Sequence, residues 1–194
     1  MANTIYLGTP DGLQLVLQRD EQKADAGLIW GQGQLYAAGF PLLSCEQDWV
    51  EWTWVDLLEW LANNWAYILC EQNMPFRLAS SSLLTLMHDL DKRWENMPEA
   101  RVEEEEDEAY RFFNRHDLAH AFKGLFFSSA FIMRQGNLVE LMSAEANKTF
   151  RLPLAEVVAD LEQIGNQLAE FAASATEGRG PHAAGQWFAR RTRL

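Results

Sequence analysis

The sequence has little of what staples a fold, spans a membrane or cradles a phosphate. Its 194 residues include two cysteines, six prolines and four histidines. Cys45 and Cys70 are too far apart in sequence for a CxxC metal knuckle and too few for a disulfide scaffold, so reduced, buried thiols are expected. No window reaches the roughly 18 uncharged apolar residues that a membrane span requires. The opening Met1-Ala-Asn-Thr-Ile-Tyr6 lacks the basic stretch and apolar run of a secretory signal, which predicts a cytoplasmic protein without a membrane partner. P-loop, GxGxxG, GxSxG and serine-histidine-acid patterns are all missing, leaving phosphoryl transfer, dinucleotide chemistry and hydrolase-elbow chemistry without local support. Basic residues are scarce too: 16 Lys and Arg face 28 Asp and Glu, for a formal charge of −12. A chain so acidic is not expected to bind nucleic acid directly, because the phosphate backbone must be met by cations. Its acidity serves solubility first; imitation of DNA toward a basic protein is the minor alternative.

What is present describes an ordinary globular chain, 48% hydrophobic and 23% charged. The pattern predicts an α+β fold, with antiparallel strands in N-terminal and central hairpins packed against several amphipathic helices. Residues 1–174 are expected to form a single α+β domain, followed by a linker and basic C-terminal segment over 175–194. Short apolar stretches at Ile5–Leu7, Leu13–Leu17, Leu28–Trp30 and Leu35–Tyr36 read as strands, with Thr9-Pro-Asp-Gly12 as a turn. In the centre, Phe131–Gln135 and Leu138–Met142 flank Gly136-Asn137, a hairpin signal, and Lys148–Leu152 supplies a third strand.

Helical periodicity marks four segments. Asp48–Cys70 carries five of the eight tryptophans; most of these are expected in the core, whereas Trp49 and Trp52, beside Glu46, Asp48 and Glu51, are the surface candidates for protein binding. A second helix is expected from Ser81 or Ser82 to Asn96, ending before Pro98. A third should run from near Glu103 to Lys123 and stop at Gly124, with the acidic run Glu103–Glu108 as its solvated start, favoured there by the helix dipole. Its apolar stripe would be Tyr110, Phe113, Leu118, Ala121 and Phe122. The clearest helix spans Pro153 to Ala173, with Leu154, Val157, Leu161, Ile164 and Leu168 at helical spacing. Beyond it, Trp187–Arg193 reads as a basic, solvated end.

The segment His116-Asp-Leu-Ala-His120 poses the sharpest chemical question. On one continuous helix, residues four apart share a face, so His116 and His120 could present both imidazoles to zinc, as in the H-E-x-x-H peptidase motif. That motif uses a Glu as general base, whereas here the position holds Asp117, one methylene shorter, and a third ligand has no evident source. The favoured reading assigns no catalytic residue, metal or other cofactor; zinc bound by His116 and His120, with Asp117 as the base of a hydrolase, is the alternative. His116, with Arg115 and Asp117 as partners, otherwise reads as an ordinary hydrogen-bonding histidine.

Trp54-Val-Asp-Leu-Leu-Glu-Trp-Leu61, Arg93-Trp94, the acidic run, Arg115-His-Asp-Leu118, Gly124 and Arg134-Gln-Gly-Asn137 together give a layout that resembles a known region. It is similar, over roughly residues 50 to 191, to the non-catalytic N-terminal region ahead of the peptidase domain in some bacterial ImmA/IrrE-family metallopeptidases. That family cleaves repressors or antitoxin-like partners in stress response, mobile-element control and phage defence. The resemblance implies a sensing or docking half: a protein-binding accessory of a bacterial defence or stress system, with a co-encoded protein as partner and self-association left open. Arg115, His116 and Asp117 would then be structural or recognition residues.

Overall fold

A computed structural model describes residues 4–25, 28–43, 54–72, 83–121, 130–143, 146–174 and 178–190. Seven strands and five helices follow one another there as β1 (Thr4–Gly8), β2 (Leu13–Asp25), β3 (Leu28–Ala37), β4 (Phe40–Leu43), α1 (Trp54–Cys70), α2 (Leu83–Trp94), α3 (Glu99–His116), a 3-10 turn (Leu118–Ala121), β5 (Ala130–Gln135), β6 (Leu138–Ser143), β7 (Lys148–Pro153), α4 (Leu154–Ala173) and α5 (Arg179–Arg190). The α+β expectation is met by two antiparallel meanders, ordered β1-β2-β3-β4 and β5-β6-β7, with the helices against them.

Alternation builds the first sheet. Leu7, Leu15 and Leu35 lie side by side in register across β1, β2 and β3, and all three are buried with Leu13, Leu17 and Ala37. Strand β2 runs on to Asp25 through a charged stretch, and β3 joins two segments that the sequence suggested were separate. Backbone pairing with the opposite strand holds this extension, across a register shift between Arg19 and Ala24. Strand β4, unexpected from sequence, turns back at Ala38-Gly39, both with positive φ (47° and 74°), the geometry of a two-residue hairpin turn.

The β5–β6 hairpin forms where expected, and Gly136, at φ 62°, takes the first of its two turn positions. Both faces of these strands are covered. Ala130, Ile132, Val139 and Leu141 join the main core, built with β1–β4, α1, α4 and α5. On the opposite face, Phe131, Met133 and Met142 meet Leu86 and Leu90 of α2 and Ala109 and Phe112 of α3 in a separate, smaller cluster. Trp54, Trp60 and Trp65 are buried, as the core reading held; Trp49 and Trp52 lie outside the described residues.

Three expectations need correction. The third helix begins at Glu99 and ends at His116, so only Glu99 lies in its first turn and the acidic run occupies its middle. Its buried face carries Ala109, Phe112 and His116, three and four residues apart, while Tyr110 is exposed. As far as Arg190 the C-terminal segment is not a solvated tail: Arg179–Arg190 is a helix that sends Ala183, Ala184 and Trp187 into the main core, and residues 191–194 lie outside the described ones. Trp187 crosses Gly165 of α4 where no Cβ would fit, and meets Trp65 edge-on at 5.3 Å. Cys70, expected to be buried, is exposed and free at the end of α1; Cys45 lies outside the described residues.

Candidate functional site

The residues singled out from sequence converge on the last turn of α3, but not as a metal pair. At Asp117 the backbone leaves the helix for an extended conformation (φ −87°, ψ 106°), after its N–H closes on the Phe113 carbonyl at 2.6 Å. His120 therefore sits in the following 3-10 turn rather than one turn further along the same helix, and the shared helical face assumed for the two imidazoles does not exist. Among the described residues, no group of three or more His, Cys, Asp or Glu side chains is arranged to hold a metal ion.

His116 is fully buried, its ring against Phe112 at 4.6 Å. Nδ1 lies 2.7 Å from the Ile132 carbonyl oxygen, and Nε2 lies 2.9 Å from Glu71 Oε2. Both neighbours only accept hydrogen bonds, so the pair of bonds is complete when both ring nitrogens carry hydrogen. This arrangement joins α3 to β5 on one side and to the end of α1 on the other.

Glu71 is the residue that sequence reading missed. Arg115 forks onto its carboxylate, donating from Nε to Oε2 at 3.1 Å and from Nη2 to Oε1 at 2.8 Å, while the Arg115 guanidinium covers the Tyr67 ring at 4.7 Å. Burial opposes ionisation of Glu71, but hydrogen bonds from His116 and Arg115, reinforced by their charges, outweigh it and hold the carboxyl at about 2. The same corner is sewn to the β5–β6 hairpin. Arg134 donates to the Leu69 carbonyl at 2.6 Å and to Gly136 at 2.8 Å, and the Gly136 N–H reaches the Gln72 side chain at 3.3 Å.

Asp117 points elsewhere. Its Oδ1 accepts the Ala119 N–H at 2.9 Å, capping the 3-10 turn, and the Ala130 N–H at 3.2 Å, fixing the start of β5. The backbone adds an antiparallel bridge to Phe131. The half-exposed His120 ring stands 3.9 Å from the other Asp117 oxygen. Of the sequence candidates, Arg115 and His116 are thus brought onto one carboxylate, Asp117 turns to the backbone, and His120 stays at the rim.

Elsewhere a recess of about 350 Å³ opens between α1 and α5, walled by Ala62, Ala66 and Ala189 and rimmed by Asn63 and Gln186. Arg190 lies on its floor over the Trp65 and Trp187 rings and donates to the Trp187 carbonyl. On the far side, α3 exposes Glu103, Glu104, Glu106, Asp107 and Glu108, whereas Glu105 is held by Arg93 and the Trp94 indole N–H. No helix among the described residues is long and apolar enough to cross a membrane. No family model, curated protein or solved structure matches this chain.

Proposed function

We propose that this chain is a non-catalytic protein-binding domain, acting as an accessory, sensor or antitoxin-like component of a bacterial defence or stress system. The observation that carries this reading is the use made of the candidate catalytic groups: both His116 nitrogens and Asp117 Oδ1 are engaged in bonds that join secondary-structure elements. A general base must reach a substrate proton, and a zinc ligand must turn a lone pair to the metal; both ring nitrogens of His116 are instead turned to the Ile132 carbonyl and the Glu71 carboxylate. The biological setting in this proposal rests on the sequence resemblance to the region ahead of ImmA/IrrE peptidase domains, with a co-encoded protein as the expected partner.

The test is purification of the tagged chain from its native host, measuring stoichiometric protein partners and zinc in the same sample. One partner protein per chain and no bound zinc are expected. One zinc per chain, lost in both His116→Ala and His120→Ala, would overturn the reading in favour of a hydrolase. A second reading, an acidic mimic of DNA, draws on the five exposed carboxylates of the 103–108 stretch. It requires a basic partner that is released as salt rises through the range where exposed charges are screened.

A further inference from the structure

The β5–β6 strands separate two apolar clusters, and the two are closed in different ways. The inner face belongs to the main core. The outer face, with Phe131, Met133 and Met142, is covered by one helical hairpin, α2–α3, through Leu86, Leu90, Ala109 and Phe112, with Trp94 and Phe113 at the margin. Within the hairpin, Arg93 and Trp94 of α2 grip Glu105 of α3, so the two helices are tied to each other. Between the hairpin and the rest of the molecule, the polar ties among the described residues include the Glu71 carboxylate at the exit of α1, which receives three hydrogen bonds from Arg115 and His116, and the His116 Nδ1 contact to the Ile132 carbonyl at 2.7 Å.

We infer that α2–α3 is a cover that opens as a unit from the β5–β6 sheet while the main core stays folded, and that the Glu71–Arg115–His116 cluster is its latch. Opening bares Phe131, Met133 and Met142. It also bares the fully buried Glu140, which shares their face of the sheet beside Met133 and is bonded by Arg151 at 3.2 Å. Subglobal opening of this kind is expected of a unit whose interface, among the described residues, holds fewer buried apolar side chains than the main core does. The direction of motion follows from the bonding: contacts within the hairpin survive the opening, and those to Glu71 and the sheet do not.

Hydrogen exchange on the full chain, read peptide by peptide, tests this. Amides of α2 and α3 are expected to exchange together and roughly tenfold or more faster than those of α4 and β1–β2, because local opening lies below global unfolding. Glu71→Gln, which weakens the charge-assisted bonds, should speed exchange in α2, α3 and residues 69–72 by roughly a further tenfold and leave α4 unchanged. Arg115→Gln retains the His116 bond and should give the same pattern at smaller amplitude, so it stands in if Glu71→Gln does not fold. Protection of α2–α3 equal to that of α4 in the wild type, or a variant that accelerates both clusters equally, would overturn the inference.

Discussion

The two clusters on either side of the β5–β6 strands hold their elements by different means. Among the described residues the inner one gathers thirty buried apolar side chains from both sheets and three helices, and the outer one seven. Where burial is broad, polar groups need only be satisfied. Asp160 of α4, for example, accepts the Leu13 N–H at 2.8 Å and the Thr9 hydroxyl at 3.0 Å. Where burial is thin, ionic hydrogen bonds set the position, as Glu71 does for Arg115 and His116. Among the described residues, directional charge thus adds in the smaller cluster to what volume does in the larger, where each buried methylene contributes about 0.8 kcal/mol.

The largest break should come from Trp187→Ala. The ring is fully buried between Trp65 and Gly165, and truncation is expected to lower the unfolding free energy by about 3–5 kcal/mol in a single cooperative urea transition. Leu90→Ala, in the outer cluster, should cost about 2–3 kcal/mol, but the loss should register mainly as faster exchange in α2 and α3. Asp160→Ala strands a buried N–H and a hydroxyl and should remove about 1–3 kcal/mol from the whole domain, seen as a lower melting temperature.

Acid sharpens the comparison through one group. The Glu71 carboxyl is depressed from 4.5 to about 2, so its contribution is fully present above pH 4.5 and is lost as pH falls toward 2. The stability gap between wild type and Glu71→Gln should therefore close progressively as pH falls below about 4.5, measured by urea unfolding across pH. The smallest effect is expected from Arg93→Gln, whose pair with Glu105 is partly exposed on the arginine side and lies within the hairpin, so that the melting temperature should barely move.

The parts legible in the sequence were those whose cause is local. Helix α4 carries its apolar residues at unbroken helical spacing, and the β5–β6 turn is written in Gly136-Asn137. Strand β4 escaped notice because its turn is Ala38-Gly39, where the first residue accepts a positive φ without the usual Asn or Asp. Helix α5 hid behind its small residues: Ala183, Ala184 and Trp187 reveal a face only when Trp65 and Gly165 are brought opposite. At the site, Arg115, His116 and Asp117 could be nominated from their spacing, but the break at Asp117 is imposed by its bridge to Phe131 and its bond to Ala130. Glu71 carried no local signal at all, since its partners lie 44 and 45 positions away.

Asp160 also bears on the order in which the protein can be made. The turn that follows the first strand has its polar groups answered by a side chain 147 residues downstream of Leu13. On the ribosome, the Leu13 amide and the Thr9 hydroxyl wait on water until α4 has emerged. The meander of β1–β4, although synthesised before α4, reaches its final form only with that helix, a long-range closure of the kind that slows folding.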